Sequence, residues 1–427
     1  MSSASQDTVL DQAVGWLEKL IQSGRSGPAA IQATLAEQLA AAGASVETMS
    51  YSPAAVPMTA EFAKAEVASS EPETVTIGRL KGTGGGRRLI LFAHPDTEPF
   101  RAEPAWQSEP FAPPRRGGRL HGWGVADDLA GIAMLAAAVA MLQVDDRRLA
   151  GDLVLLATPS KRHRRGIGAA LHAGIGADAA LYLHPAESGR GLGEIKAFAP
   201  GQLEFTITID GKPPATTEPA HTAFAHEGVN PITKATSVIA ALEACDQRRA
   251  AAVHHPRLEA AIGRSTNLMV THISAGTAEA PTRLPGSCTL RAALSLVPGE
   301  VLEDLMHEVE AVVATAADAD EWLAHHPPRI DWLAGVSAAE TPDDDPFYQL
   351  VEGAIAATGP RPVVNPLHTS SDIRNPIVQA GIPTVGIGPL CGGLTMSGLA
   401  DEWVDIDDFR RSVLVVDRIV REWCGTA

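Results

Sequence analysis

Cysteine is scarce in this 427-residue chain, and the four that occur form no pattern. Cys245, Cys288, Cys391 and Cys424 are widely scattered and make no CxxC pair, so no disulfide framework is outlined. A reducing cytoplasm is the simplest expected setting. Basic charge is also in deficit, with 34 Lys and Arg against 51 Asp and Glu and a net charge of -17. That balance argues against a nucleic-acid partner, which requires a basic field. Long apolar runs are missing: the longest, such as Ile132–Leu142, are Ala-rich and too short for a bilayer span. The opening MSSASQDTVLDQ has no basic segment leading into an apolar one, so no secretory signal is read. Internal repeats and long low-complexity tracts are lacking too. What is present is a globular composition, 45% hydrophobic and 20% charged. The length implies two or three domains and a core that needs neither disulfides nor a structural metal to fold.

Strand-like apolar runs alternate with helical stretches in the first half. Leu89–Ala93, Asp152–Ala157 and Ala179–Leu183 read as buried strands, and Leu129–Leu142 as an Ala-rich helix. This alternation predicts an α/β unit, a mostly parallel sheet with helices on both faces. Leu203–Asp210 instead alternates with period two, like a half-exposed antiparallel strand. A helix over Pro231–Ala244, strands at Leu268–Ile273 and Ser287–Leu296, and a helix over Glu300–Ala316 follow, making an α+β unit. The α/β pattern then returns through Arg329–Leu333, Phe347–Ala357, Thr384–Ile387 and Ile406–Trp423. The expected organisation is a domain over 1–200 and 319–427, interrupted by an inserted lid over 201–318.

Ligands bind at the carboxyl ends of strands in such sheets, so the residues just past each run carry the interest. FAHPDTEP puts His94 and Asp96 past the first strand; alone this is a polar turn. HGWGVADDLAG puts Asp127 at the start of a helix, where Asp127 or Asp128 serves as a cap. YLHPAESG ends the third strand with His184, and a single His there is ordinarily structural. Together they place His94, Asp127 and His184 on one rim. Two imidazoles and a carboxylate with open positions suit Zn, Mn, Fe or Co, with Asp96 fixing the His94 ring. Five residues, KRHRR from Lys161 to Arg165, follow another strand and read equally as a solvated face or an anion site.

In this order the segments resemble the M20 metallopeptidase family of carboxypeptidases, deacylases and amidohydrolases. FAHPDTEP is similar to its G-H-x-D segment. Trp106, Pro110, Phe111 and GRLHGWGVADD are similar to its next one, and GIPTVGIGP and ADEWVDIDD to its closing ones. The resemblance runs nearly end to end. It implies a catalytic α/β domain with an inserted α+β lid, through which such proteins commonly form homodimers or larger assemblies. It also implies two metals, one of them held at positions matching His94, Asp127 and His184, the last usually acidic.

The departures fall on the second metal. Its Glu-Glu pair, including the general base, matches Lys161 and Arg162, and its His matches Gly398. Facing cations repel an ion by about 1 to 4 kcal/mol per pair at contact. A single divalent ion beside positive side chains is therefore expected. A lid His that reaches the oxyanion matches Ala215, with His221 and His226 downstream as replacements. Arg374, in SSDIR, matches the family's S-D-A-R arginine that contacts substrate carboxylate; its alternative is an ion pair with Asp372. Arg283 is a further candidate of this kind.

The candidate metal ligands are thus His94, Asp127 and His184. The candidate catalytic residues are Asp96, Lys161 and Glu187, and the candidate substrate contacts are Arg162, Arg374, Arg283, His221 and His226. A lone ion still activates water, and cations set apart from it stabilise charge that develops away from the metal. That favours an aromatic aminohydrolase acting on a small anionic substrate, similar to the family's nitroanthranilate branch, which replaces an aryl amine by hydroxyl. The alternatives are an amidohydrolase, deacylase or peptidase on N-acyl amino acids, with Glu187 or His163 as base, and a silent binding protein.

Overall fold

The structure, a computed structural model, describes residues 3–64, 71–100, 105–145, 148–185, 188–367 and 371–426, without the side chains at 3, 4, 162 and 396. The chain opens with helices α1 (Ser3–Gly24) and α2 (Pro28–Ala42) and strands β1 (Ser45–Tyr51), β2 (Glu73–Leu80) and β3 (Leu89–Ala93). Helix α3 (Ala130–Leu142) and strands β4 (Leu153–Ala157) and β5 (Ala179–Leu183) follow. Next come β6 (Gly201–Asp210), α4 (Pro231–Ala252), β7 (Leu268–Ala275), β8 (Ser287–Leu296), α5 (Leu302–Asp318) and β9 (Arg329–Val336). The chain closes with α6 (Pro346–Ala356), β10 (Thr384–Ile387) and α7 (Ile406–Cys424). It divides into two compact units: Met1–Met58 with Ala68–Ala199 and Glu340–Ala427, and Thr59–Val67 with Pro200–Ala339.

The first unit is α/β. Its six-stranded sheet has the order β1-β2-β4-β3-β5-β10. The run β4-β3-β5-β10 is parallel, and every residue of these four strands is buried. That is why they read as unbroken apolar runs. Alternate side chains feed opposite faces. Leu89, Leu91, Leu155 and Leu181 join a core with α1, α2, α3 and α7, while Ile90, Phe92, Leu156 and Tyr182 join one with Ile167 and Ala170.

The sheet is not parallel throughout, because β1 and β2 are antiparallel additions. Neither they nor α1 and α2 are evident from apolar runs. The reading of apolar runs as too short for a span needs correcting at one place: the 18 residues Val125–Leu142 have a mean hydropathy of 1.8, apolar and long enough for a span, yet all are buried as a core helix and its leading turn.

The second unit is an antiparallel sheet ordered β7-β8-β6-β9 with Glu61–Ala63 at its far edge. In β6, Leu203, Phe205, Ile207 and Ile209 point into a core with Val238 and Leu242 of α4 and Leu305 and Val309 of α5. The expected boundary at 318/319 lies inside this unit. The β9 strand, assigned above to the flanking α/β unit, pairs with β6 along seven register positions. Its half-buried alternation marks it as a strand of this sheet rather than of a fully covered parallel one. The contribution of Glu61–Ala63, far away in sequence, has no local signature.

Helix α3 starts tight against the end of β5. A Cβ on Gly131 would meet the Leu183 carbonyl oxygen at 1.7 Å. Alanine ordinarily stabilises a helix interior by about 1 kcal/mol over glycine. Here Gly131→Ala is expected to lower unfolding free energy by about 1–3 kcal/mol or more instead, measured by urea denaturation.

Candidate metal centre

His94 and His184 directly follow β3 and β5, neighbouring strands of the sheet. Asp127 lies in the turn Val125–Leu129 that leads into α3, and its peptide bond to Asp128 is cis. One ligand atom from each of His94, Asp127 and His184 falls within 4.8 Å of the others, and all three residues are buried. Nδ1 of His94 lies 2.8 Å from the Asp96 carbonyl oxygen, and Nδ1 of His184 lies 2.9 Å from that of Pro185. A carbonyl only accepts, so the His94 contact puts hydrogen on its Nδ1, and both rings turn Nε2 inward. There they meet one oxygen, Asp127 Oδ1, at 3.1 and 3.2 Å. Two ring nitrogens and a carboxylate oxygen thus converge on one buried point. The donor set therefore fits a divalent transition metal.

The two neighbouring carboxyls are driven in opposite directions. Burial alone would raise the Asp127 pKa, but His184, His94 and Lys161 hold it well below the usual carboxylate range. Asp128, equally buried, is pushed well above it by desolvation. Its Oδ1 accepts from Gly131 N–H at 3.2 Å. The capping role considered for either residue thus falls to Asp128, and Asp127 is left to the site. Burial also opposes protonation of His94, and the Asp127 and Asp96 carboxylates outweigh it, holding its pKa well above normal.

Lys161 Nζ stands 2.5 Å from Asp127 Oδ2, on the side of the carboxylate away from the histidine contacts. The turn that carries it is pinned to Asp96, whose carboxylate accepts from Ser160 N–H at 2.9 Å and Lys161 N–H at 2.7 Å. Arg164 reaches Glu73 at 3.1 Å and Asp96 at 3.7 Å, and Arg165 donates to the Pro53 carbonyl at 2.8 Å. Tyr51 Oη donates to the Arg164 carbonyl at 2.7 Å. His163 and Arg165 adopt left-handed backbone, with φ of 55° and 57°, each at a cost of order 1–3 kcal/mol that these contacts sustain. Within the basic run, Lys161, Arg164 and Arg165 all engage partners inside the fold.

Arg374 is buried in the first turn of the helix Arg374–Ala380, and desolvation lowers its pKa to about 10. The backbone of Arg162 lies in the turn Lys161–His163, but its side chain, like all of Glu187, lies outside the described residues. His221, His226 and Arg283 belong to the second unit and are exposed there. His221 is engaged locally, its Nδ1 accepting from Ala223 N–H at 3.0 Å.

The motif reading overlooks Glu402 and Lys196. Glu402, in the ADEWVDIDD segment, is fully buried; Oε1 accepts from Ala126 N–H at 2.7 Å and Asp127 N–H at 3.1 Å, and Oε2 from the Thr395 hydroxyl at 2.8 Å. It holds the turn that presents Asp127. A Glu beside a quoted Asp-Glu-Trp was the available signal. Lys196 left none, since a lysine at the end of a short strand reads as surface.

Residues 90–422 match the peptidase family M20/M25/M40. The chain belongs to this family. It is similar to an N-formyl-4-amino-5-aminomethyl-2-methylpyrimidine deformylase from Halalkalibacterium halodurans, 26% identical over 84% of each chain. A succinyl-diaminopimelate desuccinylase from a Methylobacterium species is 29% identical over 91% of this chain and 89% of its own. Among solved structures, an aminopeptidase from Bacillus cereus superposes with a TM-score of 0.69 at 19% identity, covering 97% of this chain and 99% of that one. A dinuclear metal-binding M20 peptidase from Bacillus subtilis gives 0.62 at 15% identity, covering 98% and 99%. This M20 protein is a metal-dependent hydrolase of C–N bonds.

Burial, and then the Asp127 charge, raise the Glu402 pKa to about 7 from 4.5. A raised carboxyl pKa gives stability that is present below the unfolded value and lost as pH climbs through the folded one. Between pH 4.5 and 7 the chelator-treated protein is expected to lose about 3 kcal/mol through this group. Denaturant titrations across that range should show the slope in the wild type and its loss in Glu402→Gln.

Proposed function

We propose that this chain is an amidohydrolase that removes an acyl group from the nitrogen of a small anionic substrate, using one divalent ion. The carrying observation is Lys161 Nζ on Asp127 Oδ2. An ammonium already occupies the side of the carboxylate that a second ion would share, and Gly398 has no side chain to offer at the other expected ligand position. His94, Asp127 and His184 would hold the remaining ion, and this donor set suits Mn, Zn, Co or Fe. Such an ion supplies Lewis acidity, polarising a carbonyl and making water nucleophilic at neutral pH.

The chain's own groups do the rest. Asp96 and the pinned turn orient His94 and Lys161. Lys161 is kept cationic because Asp127 outweighs its burial, so Nζ is positioned to stabilise developing negative charge and to protonate the leaving nitrogen. Arg374 and Arg162 are proposed for the substrate's carboxylate, and Glu187 or His163 for the proton of water. His221, His226 and Arg283 are proposed as further substrate contacts. Homodimerisation through the second unit is supported by β7, the edge strand of its sheet among the described residues, which exposes Met269 and Ile273. Four free, buried cysteines accord with a reducing, cytoplasmic setting.

The relatives' activities, deformylation and desuccinylation, are amide cleavages. They back amide hydrolysis over the aromatic aminohydrolase favoured from sequence, which they do not support. One observation keeps the second reading: a cation offset from the metal set suits charge delocalised onto a ring substituent. A silent protein would have no use for three converging ligands.

With Mn, Zn or Co added, N-formyl, N-acetyl and N-succinyl amino acids should release free amine. Ammonia from 5-nitroanthranilate without amide turnover would overturn the proposal in favour of the second reading. Elemental analysis should find one ion per chain; two would remove its basis. Lys161→Ala should cut kcat about 10²–10⁴-fold without changing that count, and His184→Ala should abolish turnover with the circular dichroism spectrum intact.

A further inference from the structure

The two ligand histidines are backed differently. Behind His94 stands the Asp96 main chain, with the Asp96 carboxylate 3.6 Å from Nδ1. Behind His184 stands a lysine. Lys196 is 3% exposed, and its Nζ donates to the Pro185 carbonyl at 2.7 Å. That carbonyl is the one that His184 Nδ1 addresses at 2.9 Å. Nζ also contacts His184 Nδ1 itself and lies 5.8 Å from the centre of the Tyr182 ring. The buried Asp128 is within its electrostatic reach.

The fold makes room for this arm. Lys196 N–H donates to the Gly386 carbonyl at 2.8 Å, and Gly386 N–H to the Lys196 carbonyl at 2.7 Å. A Cβ on Gly386 would stand 3.0 Å from Lys196 Cβ and 3.3 Å from Cδ. The lysine stem thus lies across β10 where that strand has no side chain. Burying an ammonium is costly, and an apolar side chain would fill the same space more cheaply. A packing role alone does not account for it.

We infer that Lys196 is the positioning residue of His184: it clamps the Pro185 carbonyl and so sets the ring that offers Nε2 to the ion. This rests on the metal reading above. Ligand histidines depend on the group that holds their other nitrogen, and losing that group typically weakens metal binding 10–100-fold.

The test is cobalt(II) titration of the chelator-treated full chain, followed by visible absorption and thermal unfolding. Lys196→Met keeps the stem and removes the buried charge. Cobalt affinity should fall about 10–100-fold and the absorption bands should shift, while the melting temperature of the metal-free protein stays level or rises. A purely structural lysine would move stability and leave the cobalt spectrum alone. Gly386→Ala crowds the stem without touching a ligand and should change the spectrum in the same direction, to a smaller extent. Wild-type affinity and spectrum in Lys196→Met overturn the inference; if that variant does not fold, the same result in Gly386→Ala does so. His184→Ala distinguishes the two failures: if it binds cobalt like the wild type, the metal reading itself is at fault.

Discussion

A fully buried carboxylate needs compensation, and the arrangement around Asp127 is organised by that need. Left alone in a low-dielectric interior, the group would take up a proton, as Asp128 beside it is driven to do. Asp127 stays charged because imidazoles address one oxygen and an ammonium the other. The N–H groups of Asp127 itself and of Ala126 go to Glu402. The charge therefore depends on residues from three distant segments, those of His94, Lys161 and His184.

Local anchors explain why the basic run is built as it is. Lys161 could reach Asp127 from a flexible surface loop, but it would lose conformational freedom on doing so. Instead the turn is anchored before and after the lysine, by Asp96 on one side and by Glu73, Tyr51 and Pro53 on the other. The left-handed conformations at His163 and Arg165 are the cost of that shape. Relatives whose names describe amide cleavage match most of the chain.

Much of the catalytic unit was legible because parallel strands covered on both faces leave runs of apolar residues, as LILFA, LVLLA and AALYL do. The polar residue after each run then marks the functional rim, which is how His94 and His184 stand out. The family resemblance singled out Asp127 as the ligand, whereas the capping role stayed open between Asp127 and Asp128 because it depends on local backbone geometry. Lys161 was visible as a departure from a family pattern, but its partner was not. Glu402 and Lys196 escaped because a buried charged residue leaves no local trace; only the tertiary neighbours identify it. The β9 strand was misplaced for a related reason, since sheet membership is decided by pairing partners more than 100 residues away.

The short strand Glu61–Ala63 has a further consequence. The second unit is a composite of two separate stretches of chain, not a single loop set into its host. Excising 200–339 would leave that strand without a sheet to join and β9 without its outer neighbour. A chimera grafting this unit onto another scaffold must carry both pieces, and truncation experiments that treat it as a simple cassette will report on a broken sheet rather than on a missing module.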